Sequence, residues 1–225
     1  MIHRYLPEDI PLFPLTGVLL LPGMWLPLNV FEPRYTQMIK DALNGGKVLG
    51  MIQPLVPRDD NRGPVTEEVP NENPELYPIG CVGSIREWKE TKKGDFRISL
   101  MGLSRFRLVE ELPQHMGYRK AKVSYKDYEK DQIQSDEEVN IGKLLELLDT
   151  FGRENQIPFD TKRLVTVSGA ALVNGLAMSL PFAAAEKQAL LEAADLRQRE
   201  ELLYTLMGMG LDQEQTPAEL PPTLN

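Results

Sequence analysis

The chain is poor in the residues that build disulfides and metal sites. Cys81 is its single cysteine, and His3 and His115 are its two histidines among 225 residues. One cysteine excludes an internal disulfide framework. With the histidines so far apart, a zinc centre of Cys and His is not expected either. Long apolar runs are also missing. The most apolar stretch, Val18 to Phe31, is interrupted by Pro22, Gly23 and Pro27. It falls short of the roughly 20 residues that a membrane helix needs. The N-terminus shows neither the apolar segment nor the small-residue cleavage site of a secretory signal. A soluble, cytoplasmic protein is the expectation.

Positive charge is in deficit as well: 25 Lys and Arg stand against 33 Asp and Glu, a formal net charge of −8. A non-specific nucleic-acid binder needs a phosphate-neutralising surface, so this balance disfavours nucleic acid as a general partner. The charge is unevenly spread. Residues 1–135 hold 18 acidic and 18 basic residues, whereas residues 136–225 hold 15 and 7. A change of character near residue 135 suggests two parts. Hydrophobic residues at 42% and charged residues at 26% are ordinary globular values. A chain of this length buries roughly 70% of its unfolded surface and needs no covalent staple.

The first part reads as β-rich. Ile10 to Phe13, Val18 to Leu21 and Trp25 to Val30 are short apolar runs between Pro and Gly breakers, as expected of strands. Glu32 to Leu43 reads as a helix, with Pro33 suited to its first position and Asn44-Gly45-Gly46 as its stop. Lys47 to Ile52 is the next strand. Residues 53–77, rich in Pro, Asp, Asn and Glu, read as a long exposed loop. Ile79 to Trp88 is a strand with Cys81, Gly83, Ile85 and Glu87 on one side and Val82, Ser84, Arg86 and Trp88 on the other. Lys92-Lys-Gly-Asp95 marks a hairpin turn to Phe96–Leu100. Arg105–Val109 and Lys120–Tyr125 complete the strands.

After residue 135 the period becomes helical. Ser135-Asp-Glu-Glu138 fits a capping box ahead of a Leu-rich stripe, Val139 to Leu148. Further helices are expected over Thr161–Met178, Ala183–Ala193 and Asp195–Met207, the last opened by Asp195 and Gln198. Ser168, Gly169, Ala170, Ala171, Gly175 and Ala177 form a stripe of small residues that lets a neighbour approach closely.

Motifs that carry chemistry are largely absent. Gly46-Lys47 has Asp41 and Val48 where a phosphate-binding loop needs Gly and Ser or Thr. Gly208-Met-Gly210 is not followed by the third glycine of a dinucleotide site. No G-x-S-x-G elbow occurs. Ser168 reads as helix packing, and Cys81 reads as core rather than as a thiolate nucleophile. The carboxylate pairs Asp59-Asp60, Glu67-Glu68 and Glu110-Glu111 read as solvated surface. Basic residues interleave with aromatics around Arg86, Trp88, Lys89, Arg97, Phe106 and Arg107, a pattern that RNA readers use. Alternation, however, puts Phe106 opposite Arg105 and Arg107 and into the core.

One resemblance runs along most of the chain. Pro11-Leu-Phe-Pro-Leu15, Val18-Leu-Leu-Leu-Pro-Gly23 and Leu26-Pro-Leu-Asn-Val-Phe-Glu-Pro-Arg-Tyr35 resemble the opening of the Lon protease N-terminal domain, also called the Lon substrate-binding domain. Gly80-Cys-Val-Gly83 and the segment Ile98, Leu100, Gly102, Arg105, Phe106 and Leu108 look like later strands of that family. The resemblance covers roughly residues 8–210, including a helical tail similar to that of stand-alone bacterial members.

The resemblance implies an α+β fold: a PUA-like β pseudo-barrel over residues 1–133 and a C-terminal helical bundle over 134–212; the Pro- and Glu-rich segment 213–225 reads as a flexible tail. It implies a non-catalytic protein- or peptide-binding module that captures unfolded or specific segments on apolar surface. The ATPase and Ser–Lys peptidase segments of full-length Lon have no counterpart in this sequence. Expected peptide contacts are Trp25, Phe31, Tyr35, Trp88 and Met101. Pro22, Gly23, Glu32, Pro33, Arg34, Gly102 and Arg105 are family-motif residues read as structural, with Glu32 a cap and Arg34 a partner for a carboxylate. No catalytic residue, metal or cofactor is expected. The alternative is a small-ligand or RNA reader built on the barrel, with a continuous basic patch of Arg86, Lys89, Arg97 and Arg107.

Overall fold

The computed structural model describes residues 6–55, 74–132 and 139–212. Among these residues six strands come first: β1 (Asp9–Pro14), β2 (Trp25–Val30), β3 (Val48–Ile52), β4 (Ile79–Glu90), β5 (Phe96–His115) and β6 (Tyr118–Ser124). Helix α1 (Pro33–Asn44) lies between β2 and β3. A short 3-10 segment, Lys126–Gln132, follows β6, and residues 139–212 form five helices: α2 (Ile141–Glu154), α3 (Thr161–Leu164), α4 (Gly169–Ser179), α5 (Ala184–Glu192) and α6 (Leu196–Asp212).

The strand order is β2-β5-β4-β3-β1-β6, and β6 pairs again with β5. That last pairing closes five strands into a small barrel and leaves β2 as an edge. Closure depends on the length of β5. Its first half, Phe96 to Met101, lies between β2 and β4. Its second half, from Arg107 onward, pairs with β6. Two strands expected separately, Phe96–Leu100 and Arg105–Val109, are therefore one continuous strand. The expected strand Val18–Leu21 does not form: Leu19, Leu20 and Leu21 are buried, but in a loop.

The barrel interior holds Ile10, Leu12, Ile52, Val82, Phe106, Ala121 and Val123. Phe106 is fully buried, worth roughly 1.5–3 kcal/mol. It fits because Gly80 has no side chain: a Cβ there would sit 2.5 Å from the Phe106 ring. A second, larger core lies on the other face of the sheet. It runs from Leu20, Met38 and Leu100 to Leu144, Leu148, Leu172, Leu190 and Leu203 of the helices. The strands end at Ser124 and the long helices begin at Ile141, yet one apolar cluster joins them.

Local chemistry explains the helix ends. Pro33 occupies the first turn of α1. Glu32 precedes it but makes no side-chain cap; its carboxylate pairs with Arg34 at 3.0 Å instead. Asn140 caps α2 by accepting from the Lys143 N–H at 3.0 Å. The capping box expected at residues 135–138 lies outside the described residues, as does the tail 213–225. The single helix expected over Thr161–Met178 is two helices. Ser168 is the N-cap of α4, and its hydroxyl accepts from the Ala171 N–H at 3.4 Å. A residue that competes for backbone donors opens α4, four residues after α3 has ended at Leu164. At α6, Asp195 accepts from the Gln198 N–H at 2.8 Å.

Candidate functional site

The exposed aromatic residues sit on the open end of the sheet, where β2, β5 and β4 lie side by side. The registers fix which residues share a face. Trp25 pairs with Met101, Pro27 with Ser99 and Asn29 with Arg97. Across β5, Met101 pairs with Ser84, Ser99 with Glu87 and Arg97 with Lys89. Because side chains alternate, these three rows form one outward face. The opposite rows are Leu26–Leu100–Ile85 and Leu28–Ile98–Trp88, and all of these residues except Trp88 belong to or pack against the large core. An open groove of about 450 Å³ is lined by residues 27–29, 87–89 and 97–99.

Trp25 is 52% exposed and Met101 is partly exposed on this outward face. Trp88 is 46% exposed, but it stands in register with buried Ile98 on the other face. The even alternation expected for Ile79–Trp88 breaks at Arg86: the register slips between Ile85 and Glu87. A bulge inserts one residue and reverses the phase. Trp88 thus shares the side of Ile85, where the Lys47 ammonium lies 4.4 Å from its ring centroid.

The other expected contacts are scattered. Phe31 is 70% exposed beyond the end of β2. Tyr35 is buried, its ring 4.6 Å from that of Phe13, with the Arg34 guanidinium 4.6 Å over it. Burial, ahead of opposing pulls from nearby charges, raises the Tyr35 pKa. The five expected peptide contacts therefore do not make one cluster: Trp25 and Met101 come together, while Tyr35 and Trp88 do not join them.

The motif residues hold the loop that positions β2. Gly23 takes a φ of +77°, and its N–H donates to the Gly102 carbonyl at 2.9 Å. The Gly102 N–H returns a bond to the Met24 carbonyl at 2.9 Å. A Cβ on Gly102 would lie 2.1 Å from the Leu21 carbonyl oxygen, so a side chain there cannot coexist with this loop. Pro22 completes the turn. Gln53, also buried, accepts from the Gly17 N–H at 2.9 Å and donates to the Ala184 carbonyl and to Gln188, each at 3.1 Å.

Arg105 fastens the barrel to the helices. It is 5% exposed and forms a forked pair with Asp131 at 2.8 and 2.9 Å. It also donates to the Leu191 carbonyl at 3.1 Å and to the Ala193 carbonyl. Sequence reading singled out Arg105 but not Asp131 or the Gln53–Gln188 contact. A lone Asp, 26 residues away and in a polar stretch, carries no local signal of such a role.

The free edge of β2 is blunted. The Met24 carbonyl bonds to β5, so even-numbered residues of β2 direct their backbone groups inward. The odd-numbered ones face the edge. Pro27 stands in the middle of them and has no N–H to offer, a feature that discourages strand addition.

The remaining candidates have bland surroundings. Cys81 is buried, and burial pushes its thiol far up, so the thiolate is disfavoured. Arg107 is tied to Asp127 at 2.9 Å, and Glu87 interrupts the cations of the outward face. Among the described residues, no group of three His, Cys, Asp or Glu side chains could hold a metal ion. No helix among them is long and apolar enough to cross a membrane.

A closed small barrel with an added edge strand, sealed against a bundle of helices, defines an α+β protein of the Lon N-terminal type. Residues 9–208 match the family described as the ATP-dependent protease La (LON) substrate-binding domain, and the chain belongs to that family. It is 29% identical over 209 residues to Lon protease 2 of Myxococcus xanthus, covering 90% of this chain and 24% of that protein. It is 28% identical over 200 residues to the Lon protease of Dictyoglomus thermophilum, covering 86% and 23%. The chain thus spans about a quarter of the length of these relatives, and no protease or ATPase domain is matched. Among solved structures, it resembles a Lon N-terminal domain protein from Xanthomonas campestris, with 26% identity, a TM-score of 0.57 and coverage of 87% and 96%. The N-terminal domain of a Mycobacterium avium complex Lon protease shares the fold, with 15% identity, a TM-score of 0.61 and coverage of 89% and 98%.

Proposed function

We propose that this chain is a non-catalytic protein-binding module that holds extended or unfolded protein segments on the outward face of β2, β5 and β4. The observation that carries the reading is Trp25. It is half exposed, stands directly opposite Met101 and shares its face with Pro27 and Asn29, the next outward residues of β2, which line the open groove. A large ring and a flexible thioether side by side suit varied apolar partners. Membership of the substrate-binding family supports a protein ligand.

The segment lies across the face. Pro27 removes the central donor that an added strand would use at the edge. Burying Trp25 and its neighbours would supply affinity at roughly 25 cal/mol per Å² of apolar surface. The cytoplasm, where unfolded segments arise, is the compartment this reading assigns.

The test is titration of a fluorescein-labelled, permanently unfolded protein with this chain, without nucleotide, followed by anisotropy. Saturable binding that persists at 0.5 M salt is expected. No binding at tens of micromolar would overturn the reading.

A further inference from the structure

The outward face is chemically two-ended. At one end lies the Trp25–Met101 row, and at the other lies the row Asn29–Arg97–Lys89. Four residues of an antiparallel strand separate the rows, about 14 Å at 3.4 Å per residue. Arg97 and Lys89 are exposed and stand opposite one another on adjacent strands. Among the described residues, neither has a carboxylate within 4 Å. Like charges facing one another across strands are unfavourable. Their juxtaposition on a chain of net charge −8 thus marks a place where an external anion would relieve a repulsion.

The surrounding charges sharpen this. The β4–β5 hairpin also carries Arg86, Lys92 and Lys93, all exposed. Of its carboxylates, Glu90 is engaged by Lys40 at 3.7 Å. Glu87 sits in the middle row, in register with Ser99, between the apolar end and the cationic end. A ligand carboxylate two residues from the apolar anchor would meet Glu87 and be repelled. One four residues away would meet Arg97 and Lys89.

We propose that this face selects acidic protein segments, in which an apolar or aromatic residue lies about four residues from a pair of carboxylates. The apolar residue rests on Trp25 and Met101, and the carboxylates reach Arg97 and Lys89. This rests on the protein-binding reading above and names the class of segment preferred. A nucleic acid fits less well. Its phosphates are continuous, whereas Glu87 interrupts the cations and Arg107 is already neutralised by Asp127.

The experiment uses the full chain and labelled peptides with one Trp followed by a Gly/Ser spacer. In the first, two Glu occupy the fourth and fifth positions after Trp. In the others, those Glu are replaced by Gln, replaced by Lys, or moved next to Trp. At 50 mM salt, the first peptide is expected to bind about ten-fold more tightly than the Gln version. The preference should shrink at 0.5 M salt. The moved-Glu peptide should lose it. The double variant K89E/R97E, exposed at both positions and checked for an unchanged melting temperature, should prefer the Lys peptide. Equal binding of all four peptides would overturn the charge selection and leave the protein-binding reading intact. An acid preference that survives in K89E/R97E would overturn the assignment to this face. Displacement of the first peptide by a single-stranded oligonucleotide at lower concentration than by unlabelled peptide would overturn it in favour of nucleic acid. Failure of every peptide while unfolded protein still binds removes the acidic class alone; failure of both removes both readings.

Discussion

Arg105 and Asp131 form a buried, forked ion pair, closed at 2.8 and 2.9 Å, on the seam between the barrel and the helices. The same guanidinium donates to carbonyls at Leu191 and Ala193 and lies 4.7 Å over the Tyr128 ring. One side chain from β5 therefore ties the 3-10 segment to the corner between α5 and α6.

Removing one partner of this pair leaves a buried charge uncompensated. Asp131→Ala is expected to cost about 3–5 kcal/mol. At about 2–4 °C per kcal/mol for a chain this size, the melting temperature should fall by roughly 6–20 °C. A thermal melt followed by circular dichroism measures it. A shift below 2 °C would mean that the pair does not hold the seam.

Gly102 gives a second stability test. Gly102→Ala would drive a Cβ into the Leu21 carbonyl oxygen, so the loop must shift. A loss of about 3 kcal/mol or more is expected in denaturant unfolding. Gly46→Ala is the control: its Cβ would meet only Val48, at 3.8 Å, and the change should be within about 1 kcal/mol.

These residues also show how far the sequence could be read. Pro33, Asn44-Gly45-Gly46 and Lys92-Lys-Gly-Asp95 act within a few residues, and the helix and hairpin that they announce are present. The α+β class was legible for the same reason, since the period changes from two to 3.6 along the chain. Features set by distant partners were not legible. The Val18–Leu21 run is apolar enough for a strand, but it lies in a loop whose Leu21 carbonyl packs closely on Gly102. Ser168 divides an expected helix by capping its second half. The bulge at Arg86 reverses the phase of β4 and moves Trp88 off the face of Trp25. Alternation predicts which residues share a face only until an extra residue enters the ladder.

Alkaline pH should weaken the fold through Tyr118. Burial, then its hydrogen bond to Asp41 at 2.9 Å, pushes its pKa up to about 12. The folded state thus holds this proton more tightly than the unfolded chain, where tyrosine titrates near 10. The stability it contributes is fully present below pH 10 and is lost as pH rises toward 12. Denaturant midpoints from pH 8 to 11.5 should decline more steeply for the wild type than for Tyr118→Phe. Tyr35 shifts in the same direction, so some slope should remain in the variant. Parallel pH curves would refute the assignment.

The two tryptophans should differ in function although they are similarly exposed. Trp25 lies on the outward face and Trp88 on the opposite one, against Lys47. Neither carries a large share of the core, so Trp25→Ala and Trp88→Ala should each retain the fold, with melting temperatures within a few degrees of wild type.

The most direct measurement is the affinity of labelled unfolded protein for the wild type, Trp25→Ala and Trp88→Ala at 0.5 M salt. The account predicts saturable binding by the wild type, a loss of roughly ten-fold or more in Trp25→Ala and little change in Trp88→Ala. Equal affinities for all three proteins, or a loss confined to Trp88→Ala, would contradict the placement of the binding face.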